Sequence, residues 1–267
     1  MPRFAANVSM LFTEVPFLDR FVAAADAGFS GVECQFPYHH DSNEVADKIA
    51  MAGVTLALFN APPGDFAAGE RGLAAIPGRE SEFRESVEVA LNYADMTECT
   101  RLHIMAGCIS EDHRTRAMDT YLANLAEAAD MAQAAGVQIL IEPLSMPGYF
   151  LTRPDQALDI LRRVEHRNLA LQYDFHHAQR MQGNLAEFFE NNFASIGHVQ
   201  VAGVPGRHEP DKLGEINWNF IFDMLDAHGY DGWVGAEYNP RGGTLAGLGW
   251  AKDWGIGVDA KLAKKRR

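Results

Sequence analysis

Short apolar runs recur along the chain, each followed by a longer segment whose apolar residues return every three or four positions. The runs are RFAANVSM, GVECQF, VTLALFN, RLHIMAG, VQILIEP, LALQYD, GHVQVAG and GWVGAEY. Runs this short and this apolar predict strands covered on both faces, as in a parallel sheet. The segments between them, such as PFLDRFVAAADAG and TYLANLAEAADMAQAAG, predict the helices that cover it. Gly28, Gly53, Gly136 and Gly229 each stand just before the next run and mark helix ends.

Eight strand–helix alternations with no break in composition predict an α/β fold, a single (β/α)8 TIM barrel over residues 1–258. The rival is an open doubly wound sheet, but no GxGxxG turn follows any strand, and a count of eight favours closure. Residues 259–267, DAKLAKKRR, predict a disordered basic tail. One connection is long: residues 60–79 read NAPPGDFAAGERGLAAIPGR. A loop of this length predicts a functional lid or a disordered segment, and after the third strand of a barrel it would hang over the C-terminal face.

The ends of the last four predicted strands carry the chemistry. The fifth runs from Val137 through Ile139–Ile141 straight into Glu142, a carboxylate at the end of a buried run, which is costly unless something pairs with it. The sixth ends in Asp174, the seventh carries Gln200 and the eighth ends in Glu237. Their separations are 32, 26 and 37 residues. Barrel units average roughly thirty residues, which puts all four near one rim of adjacent strands, where barrel active sites lie. Three carboxylates and an amide oxygen form a hard, all-oxygen set suited to one Mg²⁺ or Mn²⁺. Any one of them alone is equally well a strand end meeting solvent or capping the next helix. Agreement in type and place across four strands is what favours the metal.

Other candidates rest on less. His177 and its neighbour His176 both follow Asp174 closely enough to touch what it binds. Arg207 and His208, in GVPGRHEP after the seventh strand, offer positive charge to an anionic substrate, or simply form a surface loop. Glu70 and Arg71 in the long connection predict a lid ion pair or surface decoration, with Glu70 also a candidate substrate contact, and His103, inside the fourth strand, predicts a satisfied core residue.

Composition narrows the partners. The 23 basic and 36 acidic residues give a net charge of −13, which opposes nucleic acid and anionic membrane. No apolar run approaches the length of a membrane span. The three cysteines, Cys34, Cys99 and Cys108, form no metal or redox motif, and with no signal-peptide pattern at the start the expected setting is the cytoplasm. The expected partner is a small anionic sugar acid, and a homo-oligomer is compatible with the sequence.

Longer stretches carry a resemblance over nearly the whole chain: RFAANVSMLF, GDFAAGERGLAAIPGRE, IEP, QYDFHHAQRMQGN, IGHVQVAGVPGRHEP, GEINW and GWVGAEYNP. They resemble the hydroxypyruvate isomerase family within the xylose-isomerase-like barrels. The wording LALFNAPPGD, VQVAGVPGRHEPD and GLGW is nearest to its 2-oxo-tetronate isomerase branch. The resemblance implies that Glu142, Asp174, Gln200 and Glu237 match the metal positions, with Glu142 and Glu237 also the proton-transfer pair. It implies a substrate role for His177, the second histidine of Asp-x-x-His. Relatives often have lysine where this chain has Asn239, so any role tied to that lysine has no counterpart at that position. The implied activity is isomerisation of a small hydroxy-oxo acid. Alternatives on the same scaffold are ketose 3-epimerisation, polyol dehydration, or sugar-acid binding without catalysis. A nuclease of the endonuclease IV type would need a histidine-rich zinc cluster and a basic face.

Overall fold

The computed structural model describes residues 1–257, so the predicted basic tail at 259–267 lies outside the described residues. The strands are β1 (Arg3–Asn7), β2 (Gly31–Glu33), β3 (Thr55–Asn60), β4 (Arg101–His103), β5 (Gln138–Ile141), β6 (Leu169–Asp174), β7 (Ile196–Val201) and β8 (Trp233–Ala236). They follow one another in order as a closed parallel barrel. Each predicted apolar run supplies one of them. The helices are α1 (Arg20–Asp26), α2 (Ser42–Ala52), α3 (Glu80–Thr97), α4 (Arg114–Ala134), α5 (Pro154–Val164), α6 (Phe175–Met181), α7 (Leu185–Asn192), α8 (Trp218–Ala227) and α9 (Thr244–Gly247). Among the described residues no helix is long and apolar enough to cross a membrane.

By contacts the chain forms two compact units, one made of Met1–Ala57 with the chain from Val199 onward, the other of Leu58–His198. In the first, β1 pairs with β2 on one side and β8 on the other, and β7 pairs with β8. Phe4 of β1 lies edge-on to Phe222 of α8 and to Trp250 and Trp254 beyond α9, at 5.1–5.2 Å. These aromatic contacts pin α8 and the end of the described chain to β1. In the second unit β3, β4, β5 and β6 pair in turn. All six residues of β6 are buried, as expected of a parallel strand covered on both faces.

The four marker glycines all adopt positive φ, so the helix stops read from them hold. Two stops carried no such mark: α3 and α5 end at Glu98 (φ 54°) and Glu165 (φ 52°), left-handed residues with side chains. The connection at 60–79 is ordered, and its second half is packed. Leu73, Ala74 and Ala75 are buried. Gly72 bridges to Ala106, Ala75 N donates to Ala106 O at 2.7 Å, and Asn124 on α4 donates to Ala74 O at 2.8 Å. The two loops approach so closely at Gly72 (φ 111°) that a Cβ there would lie 2.2 Å from Met105 O.

Gly72→Ala therefore meets both a forbidden φ and fixed backbone. It is expected to cost at least about 1–3 kcal/mol of stability in urea unfolding. A change under about 0.5 kcal/mol would mean that the connection yields locally and is not anchored at Gly72.

Candidate active site

Each unit carries its own cluster of buried polar side chains at strand ends. In the unit Leu58–His198, Glu142 directly follows β5 and is buried. Gln172, on β6, donates its amide to Glu142 Oε2 at 2.9 Å, and His103 Nδ1 lies 3.6 Å from the same oxygen. Asp174 ends β6 and also caps α6, its Oδ1 accepting from His176 N at 2.7 Å. The helix cap, one of the two readings posed from the sequence, takes one oxygen of this carboxylate. His177 Nε2 lies 3.6 Å from Asp174 Oδ2, and its Nδ1 accepts from Ser145 N at 3.1 Å. Glu142, Asp174 and His177 each offer a ligand atom within 4.8 Å of the others, a spacing that a metal ion can bridge.

His103 departs from the satisfied core residue expected. Its Nδ1 meets Asn60 Oδ1 at 3.2 Å, but its buried Nε2 has no hydrogen-bond partner. Burial, reinforced by nearby His198, holds its pKa down at about 3, so it is neutral at ordinary pH.

The other unit builds its cluster around a carboxylate that strand-end reasoning missed. Glu33 ends β2 and is 0% exposed. Its Oε1 accepts from Asn7 Nδ2 at 3.1 Å and from Gln200 Nε2 at 2.8 Å. A carboxylate only accepts, so Gln200 must turn its NH₂ toward Glu33, with its Oε1 at the other end of the amide. Asn7 is oriented the same way. Its Oδ1 accepts from Ser9 N at 3.1 Å, and its Nδ2 also reaches Glu237 Oε1 at 3.2 Å. Gln35 Nε2 donates to that same Glu237 oxygen at 3.1 Å, while Arg207 forms an ion pair with Oε2. Glu33 lies against β8 at Gly235, where a Cβ would fall 2.2 Å from Glu33 Oε2. Gly235 is there to make room for it.

The chain matches the family model described as xylose isomerase-like TIM barrel over residues 21–254. It is 53% identical over 258 residues to the 2-oxo-tetronate isomerase of Cupriavidus necator, covering 95% of this chain and 99% of that one. It is 42% identical over 254 residues to the hydroxypyruvate isomerase of Escherichia coli K12, covering 94% and 98%. A crystal structure of an AP endonuclease, family 2, from Brucella melitensis superposes with a TM-score of 0.93 at 48% identity, covering 95% and 99%. This chain belongs to the hydroxypyruvate isomerase family.

Within this family member the remaining sequence candidates sit as follows. Arg207 adopts a positive φ of 54°, and its carbonyl accepts from Asn239 N at 2.7 Å. Its neighbour His208 donates from Nδ1 to Asn239 O at 2.8 Å. Two backbone-level contacts thus tie Asn239 to the loop after β7. Arg241 pairs with Asp211 at 2.7 Å and with Glu209 at 3.0 Å. Glu70 pairs with Arg79, not with Arg71, and accepts from Asp65 N at 2.6 Å. The Arg79 guanidinium, then that backbone bond, hold the Glu70 carboxyl below its usual range. Arg71 lies over the Phe66 ring at 3.8 Å. In this hydroxypyruvate isomerase family member Glu70 is a brace of the long connection.

Two stability predictions follow from the clusters. Glu33→Ala removes an acceptor shared by two buried amides, of which Asn7 keeps Glu237 Oε1, and a cost of roughly 1–3 kcal/mol in urea unfolding is expected, that of about one orphaned donor. A cost under about 1 kcal/mol would show that the amides re-pair elsewhere. His103, neutral in the fold, takes up a proton on unfolding below its free pKa of about 6.5. Its contribution is complete above about pH 6.5 and is lost as the pH falls toward about 3. Wild type should therefore lose stability faster than His103→Gln across that window, by up to about 1.4 kcal/mol per pH unit. Parallel pH–stability curves would contradict this.

Proposed function

We propose that this protein interconverts small hydroxy-oxo acids by moving a carbonyl to the neighbouring carbon, with 2-oxo-tetronate and hydroxypyruvate as the substrates to test. The supporting observation is the pair of buried glutamates at the ends of β5 and β8, each gripped by neutral amide donors, in a chain half identical to a 2-oxo-tetronate isomerase. The nuclease named for the Brucella protein finds no support in a chain of net charge −13.

In this reading Glu142, Asp174, Gln200 and Glu237 hold one Mg²⁺ or Mn²⁺. The donor chemistry fits a hard cation: carboxylate oxygens of Glu142 and Asp174 stand within 4.8 Å of each other, and Glu33 leaves Gln200 only its amide oxygen to offer. When bound, the ion supplies a Lewis acid that acidifies the C–H between carbonyl and hydroxyl. One glutamate removes that proton to give a cis-enediolate. The other returns a proton at the adjacent carbon, and the hydroxyl proton crosses to the former carbonyl oxygen. Glu237 Oε1 already accepts from two amides, so the proton goes to Oε2, where the Arg207 cation opposes it until the pair is released.

Arg207 is the partner to release. Its side chain is 24% exposed, so an arriving carboxylate can reach the guanidinium. A planar guanidinium grips a substrate carboxylate bidentately, and in doing so it frees Glu237 Oε2. Substrate binding and base release then become one event.

Chelation is expected to abolish activity and Mg²⁺ or Mn²⁺ to restore it; full activity in chelated, metal-free enzyme would sink the metal reading. Glu142→Gln and Glu237→Gln should each lower kcat by about 10²-fold or more. The double variant should be far less than multiplicatively worse, because the two act as a unit. A single variant with near-normal kcat at saturating metal would demote that glutamate to a ligand. Steady-state comparison of hydroxypyruvate with 2-oxo-tetronate assigns the substrate length.

Arg207→Ala, assayed on the oxo acid and on an uncharged analogue, should raise KM selectively for the acid and leave kcat on the analogue undiminished, because Glu237 then has no guanidinium to release. If the contact is desolvated, the selective part amounts to roughly 2–5 kcal/mol. Equal losses on both compounds would remove Arg207 as the carboxylate anchor.

A further inference from the structure

We infer that Ser145 is a positioning residue whose backbone N–H locks His177 in its Nε2–H tautomer, so that the substrate contact the family resemblance implies for His177 is a donated hydrogen bond. The substrate half of this statement rests on the proposed function; the tautomer does not.

By spacing alone His177 looks like a ligand, since it completes a trio with Glu142 and Asp174. The other ring nitrogen argues the reverse. His177 Nδ1 is 3.1 Å from Ser145 N and 2.7 Å from Ser145 Oγ. A hydroxyl can donate or accept, so Oγ alone would leave the tautomer open. A backbone N–H can only donate. It therefore requires a lone pair on Nδ1, and the single proton of neutral imidazole goes to Nε2. A proton on Nδ1 would set N–H against N–H in a buried site.

The amide cannot swing aside to accommodate one. Its neighbours are fixed by Leu144 N to Leu151 O at 3.0 Å and Met146 N to Leu144 O at 2.8 Å. The same turn is tied outward by Phe150 N to Gly107 O at 2.9 Å and by the bridge between Cys108 and Tyr149. His177 is equally constrained, buried on α6 behind the Asp174 cap.

Metal-ligating histidines show the opposite arrangement, in which the second nitrogen donates to a carboxylate or carbonyl and leaves the first bare for the ion. Here the second nitrogen meets a donor. The nitrogen that faces Asp174 Oδ2 at 3.6 Å consequently carries the proton, and it can give that hydrogen bond to a substrate oxygen beside the carboxylates.

Two-bond ¹H–¹⁵N spectra of protein labelled at histidine nitrogen test this directly. The His177 signals are identified by their loss in His177→Asn or, if that variant fails to fold, by the resonances that shift in Ser145→Ala. A protonated Nε2 and a bare Nδ1 are expected, both in metal-free protein and after addition of Mg²⁺. Protonation at Nδ1, or loss of the Nε2 proton on adding Mg²⁺, overturns the inference. Ser145→Ala retains the amide and should retain the tautomer. Losing Oγ loosens the ring, so kcat/KM should fall by up to about tenfold, the worth of one neutral hydrogen bond. Mn²⁺ affinity, measured by electron paramagnetic resonance, should stay within about threefold of wild type in Ser145→Ala and in His177→Asn, whereas disturbing a ligand weakens binding at least about tenfold. Such weakening in His177→Asn would make it a ligand and overturn the inference. A wild type that binds no Mn²⁺ sinks the metal reading of the proposed function and leaves the tautomer to be decided by the spectrum.

Discussion

A buried carboxylate survives in a barrel only if donors surround it, and this chain buries Glu33, Glu142, Asp174 and Glu237. Much of the local architecture answers that demand. Asn7 spans two of them, Gln35, Gln172 and Gln200 each serve one, and the first turn of α6 turns a backbone N–H onto Asp174. Gly235 gives up its side chain so that Glu33 can lie across β8. Because a carboxylate cannot donate, each of these contacts also fixes which end of an amide faces away. The orientation of Gln200, on which its proposed role as an oxygen ligand depends, is thus dictated by Glu33.

The barrel was legible because parallel strands are covered on both faces and so appear as unbroken apolar runs. Glu142, Asp174 and Glu237 were legible for a related reason: a charge that ends such a run is conspicuous. Glu33 ends β2 in the same way, yet it escaped notice. The strand is three residues long, and the Cys and Gln that follow in GVECQF blur its end. The contribution of Ser145 left no mark at all, because it acts chiefly through a backbone N–H that every residue but proline has. The long connection misled in another way. Its Gly, Pro and Ala content suggests disorder, but those residues permit close approach, as at Gly72, and the second half of the segment packs. Glu70 looked free to meet a substrate only because Arg79, nine positions on, could not be recognised as its partner from spacing within a loop.

Neutral amides, not lysines or arginines, do most of the holding, and this choice has a consequence. A cation beside each carboxylate would solve the burial problem and also cancel the charge. An amide supplies hydrogen bonds while leaving the negative charge in place. Glu33 and Glu142 are held by side-chain amides, and Asp174 by a backbone N–H, so the strand ends keep the electrostatic pull that the proposed divalent ion needs. Among these strand-end carboxylates Glu237 is the exception, with a guanidinium on one oxygen. That exception falls on a residue proposed to exchange a proton, in a loop whose arginine sits at a strained left-handed φ of 54°. A permanent holder there would be an amide, as it is on the other Glu237 oxygen. A cation is the better holder where the contact has to be exchanged, because an incoming carboxylate is an acceptor that can compete with Glu237 for the guanidinium.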